Sequence, residues 1–282
     1  VLIESGSGGS AETESLGGWF AGFRSHSSCR KGKTDMKVVA HRGNAPGYAE
    51  LTRAAFENTL AMPIHGVECD VRLCASGELV VHHDQRIGRT AVDVLAAGPK
   101  ISTLALAELR EFNVGSEDNP QCIMTLDELL ELIVDAGDKH LYLEIKHPTR
   151  FGRITEEQVV RSLTYAGLID DPRIHIISFS NASMRRMRQL APHIDRFYLR
   201  RQWELRYNPK DIRLSAPTGL GLSVNTARVR PDLVGAGGLP TYMWTANSRA
   251  DLEFAHRVGA DIVATDNPAL ALDVCSELAS VH

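Results

Sequence analysis

From Lys37 onward the chain alternates two hydrophobic rhythms. Short apolar runs, rich in valine and isoleucine, predict strands at Val38–Ala40, Val67–Leu73, His140–Lys146, Ile174–Phe179, Phe197–Leu199, Leu220–Val224, Thr241–Thr245 and Asp261–Thr265. Between them lie amphipathic stretches with readable starts. Thr125-x-x-Glu128 has the capping-box pattern ahead of Leu126, Leu129, Leu130, Ile133 and Val134, which fall on one helical face. Thr155-x-x-Gln158 predicts a second helix start before Val159, Val160 and Leu163, and Ser248-x-x-Asp251 predicts a third. Eight β units separated by helices predict an α/β fold, a (β/α)8 TIM-type barrel, because repeated right-handed crossovers close a parallel sheet.

One unit departs from the rhythm. After the second strand, Ser76-Gly77 is a turn signal between two apolar runs and predicts a hairpin that returns as Leu79-Val80-Val81. Residues 85–123, with Gly98-Pro99 and Asn119-Pro120, read as a small insertion carrying one helix near Leu104–Phe112, a flap beside the barrel mouth. Residues 1–35 form a Gly/Ser-rich leader without helical or strand period. Met36 reads as a natural start, with the leader as tag or linker sequence and Arg30-Lys31-Lys33 as a solvated cluster. The expected division is therefore a tail of 1–35 and a barrel of 36–282.

At 282 residues and 43% hydrophobic composition, one substantial core is within reach. A net charge of −4 and a pI near 6.3 argue against broad nucleic-acid binding. The five cysteines, Cys29, Cys69, Cys74, Cys122 and Cys275, are scattered without a CxxC pair, so neither a zinc site nor a disulfide framework is indicated. There is no run of about 18 apolar residues to span a membrane and no signal-peptide core, so a cytoplasmic protein is expected.

The chemistry concentrates between Met36 and Asp84. An apolar run ends in His41-Arg42-Gly43; Glu57-Asn58, Glu68-Cys69-Asp70 and His82-His83-Asp84 follow. Two carboxylates one residue apart on a strand point the same way and can hold a hard cation. Two histidines can serve as acid and base. Later predicted strands end in Glu144, Lys146 and His147, in Trp244 with Asn247 beyond, and in Asp266-Asn267-Pro268. Barrel active sites form at such carboxyl ends, so these groups share one rim, and metal-assisted phosphodiester cleavage is the reading that fits them.

In order, HRGN, FENT, VECDVR, SGELVVHHD and RT, then LYLEIKHP, WTAN and DIVATDNP, resemble the glycerophosphodiester phosphodiesterase family. The resemblance runs from Met36 to about Leu272. It implies a TIM-type barrel, one divalent cation (Mg2+ or Ca2+), and release of glycerol 3-phosphate and an alcohol from a small glycerophosphodiester. It also implies attack on phosphorus by the neighbouring glycerol hydroxyl, giving a cyclic phosphate that water then opens. Two departures bear on the choice of leaving alcohol. Phe56 stands where the family usually has proline before Glu-Asn, and the loop Asn44–Phe56 is longer than usual.

Under this resemblance His41 and His83 are the acid–base pair, with His82 structural on the other strand face. Glu68, Asp70 and Glu144 are the metal ligands, and Cys69 between them points away. Arg42 and Lys146 are the phosphate-binding pair, a planar fork and a point charge, with ion pairing to Glu57 or Glu68 as their competing role. Trp244 supplies an apolar wall, while Glu57 and Asn58 open a helix near the site and support the first groups. Arg89-Thr90 and His147 are further rim groups. The alternatives are a phospholipase D-like or lysophospholipid-cleaving barrel and a non-catalytic barrel that binds phosphorylated ligands; the latter requires a broken histidine pair or acid cluster, and both are intact.

Overall fold

Each predicted apolar run is buried on both sides, the condition under which a parallel strand is stable between a barrel interior and a coat of helices. In a computed structural model describing residues 36–94, 96–204 and 209–280, β1 (Lys37–Ala40), β2 (Gly66–Leu73), β3 (Leu79–Val81), β4 (His140–Ile145), β5 (Ile174–Ser178), β6 (Asp195–Leu199), β7 (Gly219–Ser223), β8 (Thr241–Trp244) and β9 (Ile262–Thr265) form one sheet. The expected leader, 1–35, lies outside the described residues. All strands but β3 run parallel, in the order β1-β9-β8-β7-β6-β5-β4-β2, and a β1–β2 pairing closes the eight-stranded barrel. β3 is the antiparallel return of the predicted hairpin, pairing Val81 with Val71 and Leu79 with Leu73.

The helices are α1 (Arg53–Leu60), α2 (Leu106–Leu109), α3 (Leu126–Asp135), α4 (Ile154–Tyr165), α5 (Asn181–Leu190), α6 (Pro209–Ser215), α7 (Val224–Val229), α8 (Arg249–Val258) and α9 (Pro268–Ser280). The Thr125 hydroxyl accepts from the Glu128 N–H at 3.3 Å and the Glu128 carboxylate accepts from the Thr125 N–H at 2.8 Å, the reciprocal cap expected for α3. Ser248 caps α8 as expected. The Thr155 start is corrected. α4 begins at Ile154, and Thr155 sits inside it, with its hydroxyl buried and unpaired. Glu156 is also wholly buried, so the His147 and Arg186 contacts to its carboxylate anchor this end of the helix.

Two cores result. A larger one fills the space between strands and helices, and Cys69 belongs to it. The smaller lies inside the barrel, where Tyr142 of β4 meets Tyr242 of β8 with ring centroids 5.3 Å apart. That contact across the ring of strands fixes which residues face inward: Tyr142, and by alternation His140, Glu144 and Lys146. Residues 85–123 gather a third cluster of Val80, Ile87, Ile101, Leu109, Val114 and Ile123. Their helix is only the four residues of α2, shorter than the predicted stretch. Among the described residues no helix is long and apolar enough to cross a membrane.

Candidate active site

β1 ends at Ala40 and the backbone turns at once. Arg42 and Gly43 both adopt left-handed conformations, with φ of 58° and 62°. A Cβ on Gly43 would lie 2.7 Å from the ring of fully buried Phe56, so glycine is what lets this ring wedge beneath the turn. The turn aims the Arg42 N–H at Glu68 Oε2, 2.8 Å away, tying the end of β1 to β2. It also sets His41 Nδ1 2.7 Å from Asp266 Oδ1, just past the neighbouring β9. Burial alone would raise the Asp266 pKa, but bonds with His41, Asn247 and Asn44 hold it at about 2. An ionised carboxylate only accepts, so Nδ1 carries the proton. Nε2 is left facing Glu68 Oε2 at 4.0 Å.

His83 is held in the same manner. The β2–β3 hairpin returns the chain beside Asp70, whose carbonyl accepts from the His82 N–H at 2.9 Å, while the Arg72 guanidinium donates to the His83 carbonyl at 2.6 and 2.8 Å. His83 Nδ1 lies 2.7 Å from Asp84 Oδ1. Asp84 is ionised: its pKa is about 2, because bonds from Arg89 and His83 outweigh partial burial. His83 itself is pushed down to about 4, chiefly by burial and against the pull of Asp70. It is neutral near pH 7, with its Nε2 lone pair unprotonated. His82 is buried and its Nε2 lies 3.3 Å from the Arg86 carbonyl, away from this arrangement.

Between the histidines lie three acids. Strand register sets Asp70 opposite Glu144, and alternation places Glu68 on the same face. One oxygen from each lies within 4.8 Å of the others, and all three side chains are buried. Burial, then repulsion from Asp70 and Glu144, drives the Glu68 pKa well above its ordinary value. Burial likewise raises Glu144, to about 7. Lys146 Nζ bridges Asp70 Oδ1 at 3.0 Å and Glu144 Oε1 at 2.9 Å, and with His83 and Arg42 it keeps Asp70 low, at about 2, against the effect of burial. Lys146 and the Arg42 guanidinium, 3.5 Å from Asp70, do not balance three ionised acids, which is why Glu68 and Glu144 are driven up, and Asp70 Oδ2 has no hydrogen-bond partner. This oxygen-only set fits a hard divalent cation.

His41, Arg42, Glu68, His83, Glu144, Lys146 and Trp244 line one cavity of about 540 Å³, and Asp70 reaches it through Lys146. Trp244 stands edge-on to Phe179 in its apolar wall, with ring centroids 5.3 Å apart. The Arg42 guanidinium lies 3.1 Å from Glu50 and 3.5 Å from Asp70, rather than on Glu57 or the Glu68 side chain. Glu57 and Asn58 do not open a helix. Thr52 caps α1, and both residues fall in its second turn. Because Ala55, Phe56 and Thr59 take the inner face, Glu57 is turned outward, 3.5 Å from Arg53, while Asn58 donates to the Tyr48 hydroxyl; neither lines the cavity. Sequence reasoning assigned no role to Asp84 and Asp266, which orient the histidines, or to Glu50, which joins Arg42 to Arg89. Asp84 was signalled by adjacency to His83; Glu50 lies in an irregular loop without a pattern.

The profile of the Glycerophosphoryl diester phosphodiesterase family matches residues 41–270. The chain is 32% identical over 254 residues to "Probable glycerophosphodiester phosphodiesterase 1" of Mycobacterium tuberculosis, with 82% of this chain and 89% of that one covered. It is 28% identical over 240 residues to the "Glycerophosphodiester phosphodiesterase" of Caldanaerobacter subterraneus, covering 82% and 94%. Among solved structures, an Oleispira antarctica phosphodiesterase in complex with the product sn-glycerol-3-phosphate superposes with a TM-score of 0.76 at 26% identity, covering 85% of this chain and 96% of that one. With the family matched across most of its length and the fold shared, the chain belongs to the glycerophosphoryl diester phosphodiesterase family.

Proposed function

We propose that the catalytic unit, residues 36–282, hydrolyses glycerophosphodiesters to glycerol 3-phosphate and an alcohol in the cavity between His41 and His83. One observation carries the reading: two histidines, each fixed through Nδ1 by its own carboxylate, face a single cavity lined by buried Glu68 and Glu144, with Asp70 grouped behind them. Glu68, Asp70 and Glu144 would hold one divalent cation, Mg2+ or Ca2+. Bound there, it would draw negative charge from the phosphoryl oxygens.

The chain's own groups divide the remaining work. His83, neutral with a free Nε2, accepts the proton of the glycerol 2-hydroxyl, and His41, entering the step as the imidazolium with Nδ1–H on Asp266, delivers its Nε2 proton to the departing alkoxide. The hydroxyl attacks phosphorus, the bond to the alcohol breaks, and a cyclic phosphate results; water then opens it with the histidine roles exchanged. Lys146 and Arg42 bind the phosphodiester anion, and Trp244 forms the wall against the glycerol. Glu57 and Asn58 support the loop and helix beneath Arg42 from outside the cavity. Arg89, from residues 85–123, bonds both Asp84 and Glu50 and so ties that segment to the mouth, where the leaving alcohol is selected.

A second reading keeps the chemistry and changes the alcohol. Ile177, Phe179, Leu199, Trp203 and Trp244 make a long apolar side of the cavity, and Trp203 is 76% exposed at its edge. Such a wall suits an amphiphile such as a lysophospholipid. Turnover of glycerophosphocholine, glycerophosphoethanolamine, glycerophosphoglycerol and lysophosphatidylcholine, with Mg2+ or Ca2+ and with chelator, tests both readings. Cation-dependent release of glycerol 3-phosphate is expected. Cleavage of the lysolipid alone would select the second reading, and full activity after exhaustive chelation would overturn the metal assignment.

A further inference from the structure

The barrel's opposite end holds a second constellation. His65 immediately precedes β2, His140 opens β4 and His175 is the second residue of β5. These are the amino ends of three adjacent strands, whereas the acids lie toward the carboxyl ends. One ring nitrogen from each histidine lies within 4.8 Å of the others. The His65 and His140 rings stack 3.9 Å apart, and His140 Nδ1 lies 2.8 Å from His175 Nε2. Gly66 permits the approach, since a Cβ there would sit 2.2 Å from the His140 carbonyl oxygen.

Three imidazoles sharing one internal hydrogen bond leave a ring nitrogen unserved. His65 Nε2 is buried without a hydrogen-bond partner, and the His175 side chain is only 8% exposed. Asp195 Oδ2 stands 3.5 Å behind His175 Nδ1. A carboxylate behind an imidazole is the outer partner that metal-bound histidines usually have; it orients the ring and turns the other nitrogen's lone pair inward.

We infer that His65, His140 and His175 form a second metal site, for a borderline-soft divalent ion of the zinc class, distinct from the acid cluster. Nitrogen ligands select this class over Mg2+ or Ca2+. Metal–nitrogen bonds of about 2.0–2.1 Å in a tetrahedron separate the nitrogens by about 3.3 Å. The His140–His175 pair would open by about half an ångström, and the His65 nitrogen, within 4.8 Å of the others, would close toward them by rotation of its ring. The nearby positive charges of Lys37 and Lys139 oppose any cation, which favours one bound through strong bonds to nitrogen over one held by charge alone.

The site is separate from the chemistry. Tyr142 stacks on His175 at 4.4 Å and meets Tyr242 and Phe197, an aromatic layer across the barrel. Along β4, His140 precedes Glu144 by about 13 Å of extended chain. A metal here would bolt β2, β4 and β5 together at their amino ends, a structural role.

Metal content of protein purified without an affinity tag, exposed to zinc and then dialysed against a weak chelator, tests the inference. About one equivalent of zinc is expected in the parent protein and in Glu144→Gln, and about a fivefold loss in His140→Gln and His65→Asn. With Co2+ in place of zinc, the strong visible absorption of a four-coordinate nitrogen site should appear in the parent and vanish in His65→Asn. That residue lies outside the strands, so its variant decides the matter if His140→Gln does not fold, with circular dichroism as the check. Zinc retained equally by both histidine variants, zinc lost in Glu144→Gln instead, or no zinc above background in the parent would each overturn the proposal.

Discussion

His41 Nδ1 and Asp266 Oδ1 are 2.7 Å apart although 225 positions separate them in the chain. The bond joins the end of the first barrel strand to the residue just past the last, β9, which pairs directly with β1, and fixes the ring nitrogen that faces the cavity. Asp266 is fixed in turn: Asn247 donates from its side chain at 2.6 Å and accepts from the Asp266 N–H at 2.8 Å.

Replacing Asp266 by alanine should therefore lower kcat by about 10²–10⁴-fold with a much smaller change in KM, the scale for losing the group that sets a catalytic histidine's tautomer. Steady-state kinetics on glycerophosphocholine checks this. A variant with nearly the parent's kcat would mean that the His41 ring orientation is set elsewhere.

Adjacent histidines should behave oppositely. His83→Ala should lose about two to four orders of magnitude in turnover. His82→Ala should keep turnover within about tenfold while losing roughly 1–3 kcal/mol of stability, because a buried ring and its contact with the Arg86 carbonyl are removed. Thermal denaturation and kinetics on both variants decide it; equal catalytic losses would show that His82 also serves the reaction.

Much of this was legible in the sequence. All eight barrel strands were, because buried parallel strands leave short apolar runs such as Val38–Ala40 and, where one face carries chemistry, an alternation such as Val67–Leu73. The acids were legible too, since Glu68 and Asp70 share a face by simple alternation. What failed were local signals that tertiary burial overrode. Thr155 has a cap's sequence context but lies within the first turn of α4. Glu57 and Asn58 read as a helix start because the true cap, Thr52, follows an irregular loop. Contacts such as Arg42–Glu50–Arg89 join a turn, a loop and a short 3-10 segment, and no periodicity encodes them.

The anchoring carboxylates also predict an acid response. Asp84 and Asp266 have folded pKa values of about 2, below the unfolded value near 3.9. A depressed carboxylate pKa stabilises the folded state above the unfolded pKa, and that stability is lost as pH falls toward the folded one. Both groups are partly exposed, so each contributes about 1 kcal/mol or less after screening. The double variant Asp84→Asn/Asp266→Asn should thus be less stable than the parent above about pH 5, and the gap should close by about pH 2. Urea unfolding across that range is the measurement. A gap that stays constant would show that the two carboxylates are not what carries the pH dependence.

Neither Cys69 nor Ser76, the thiol and hydroxyl that the sequence places near the acids, is positioned as a nucleophile on the proposed account. Cys69 is buried in the outer core with its pKa driven up by burial, and Ser76 sits in the hairpin turn bonded to Glu78. The attacking oxygen then belongs to the substrate or to water, and an internal hydroxyl has the advantage of proximity. The direct measurement is 31P NMR of turnover on glycerophosphocholine beside its analogue lacking the glycerol 2-hydroxyl. The account predicts a transient cyclic glycerol phosphate from the first, and binding without appreciable cleavage of the second. Cleavage of the 2-deoxy analogue at a comparable rate would contradict it and make water the direct nucleophile.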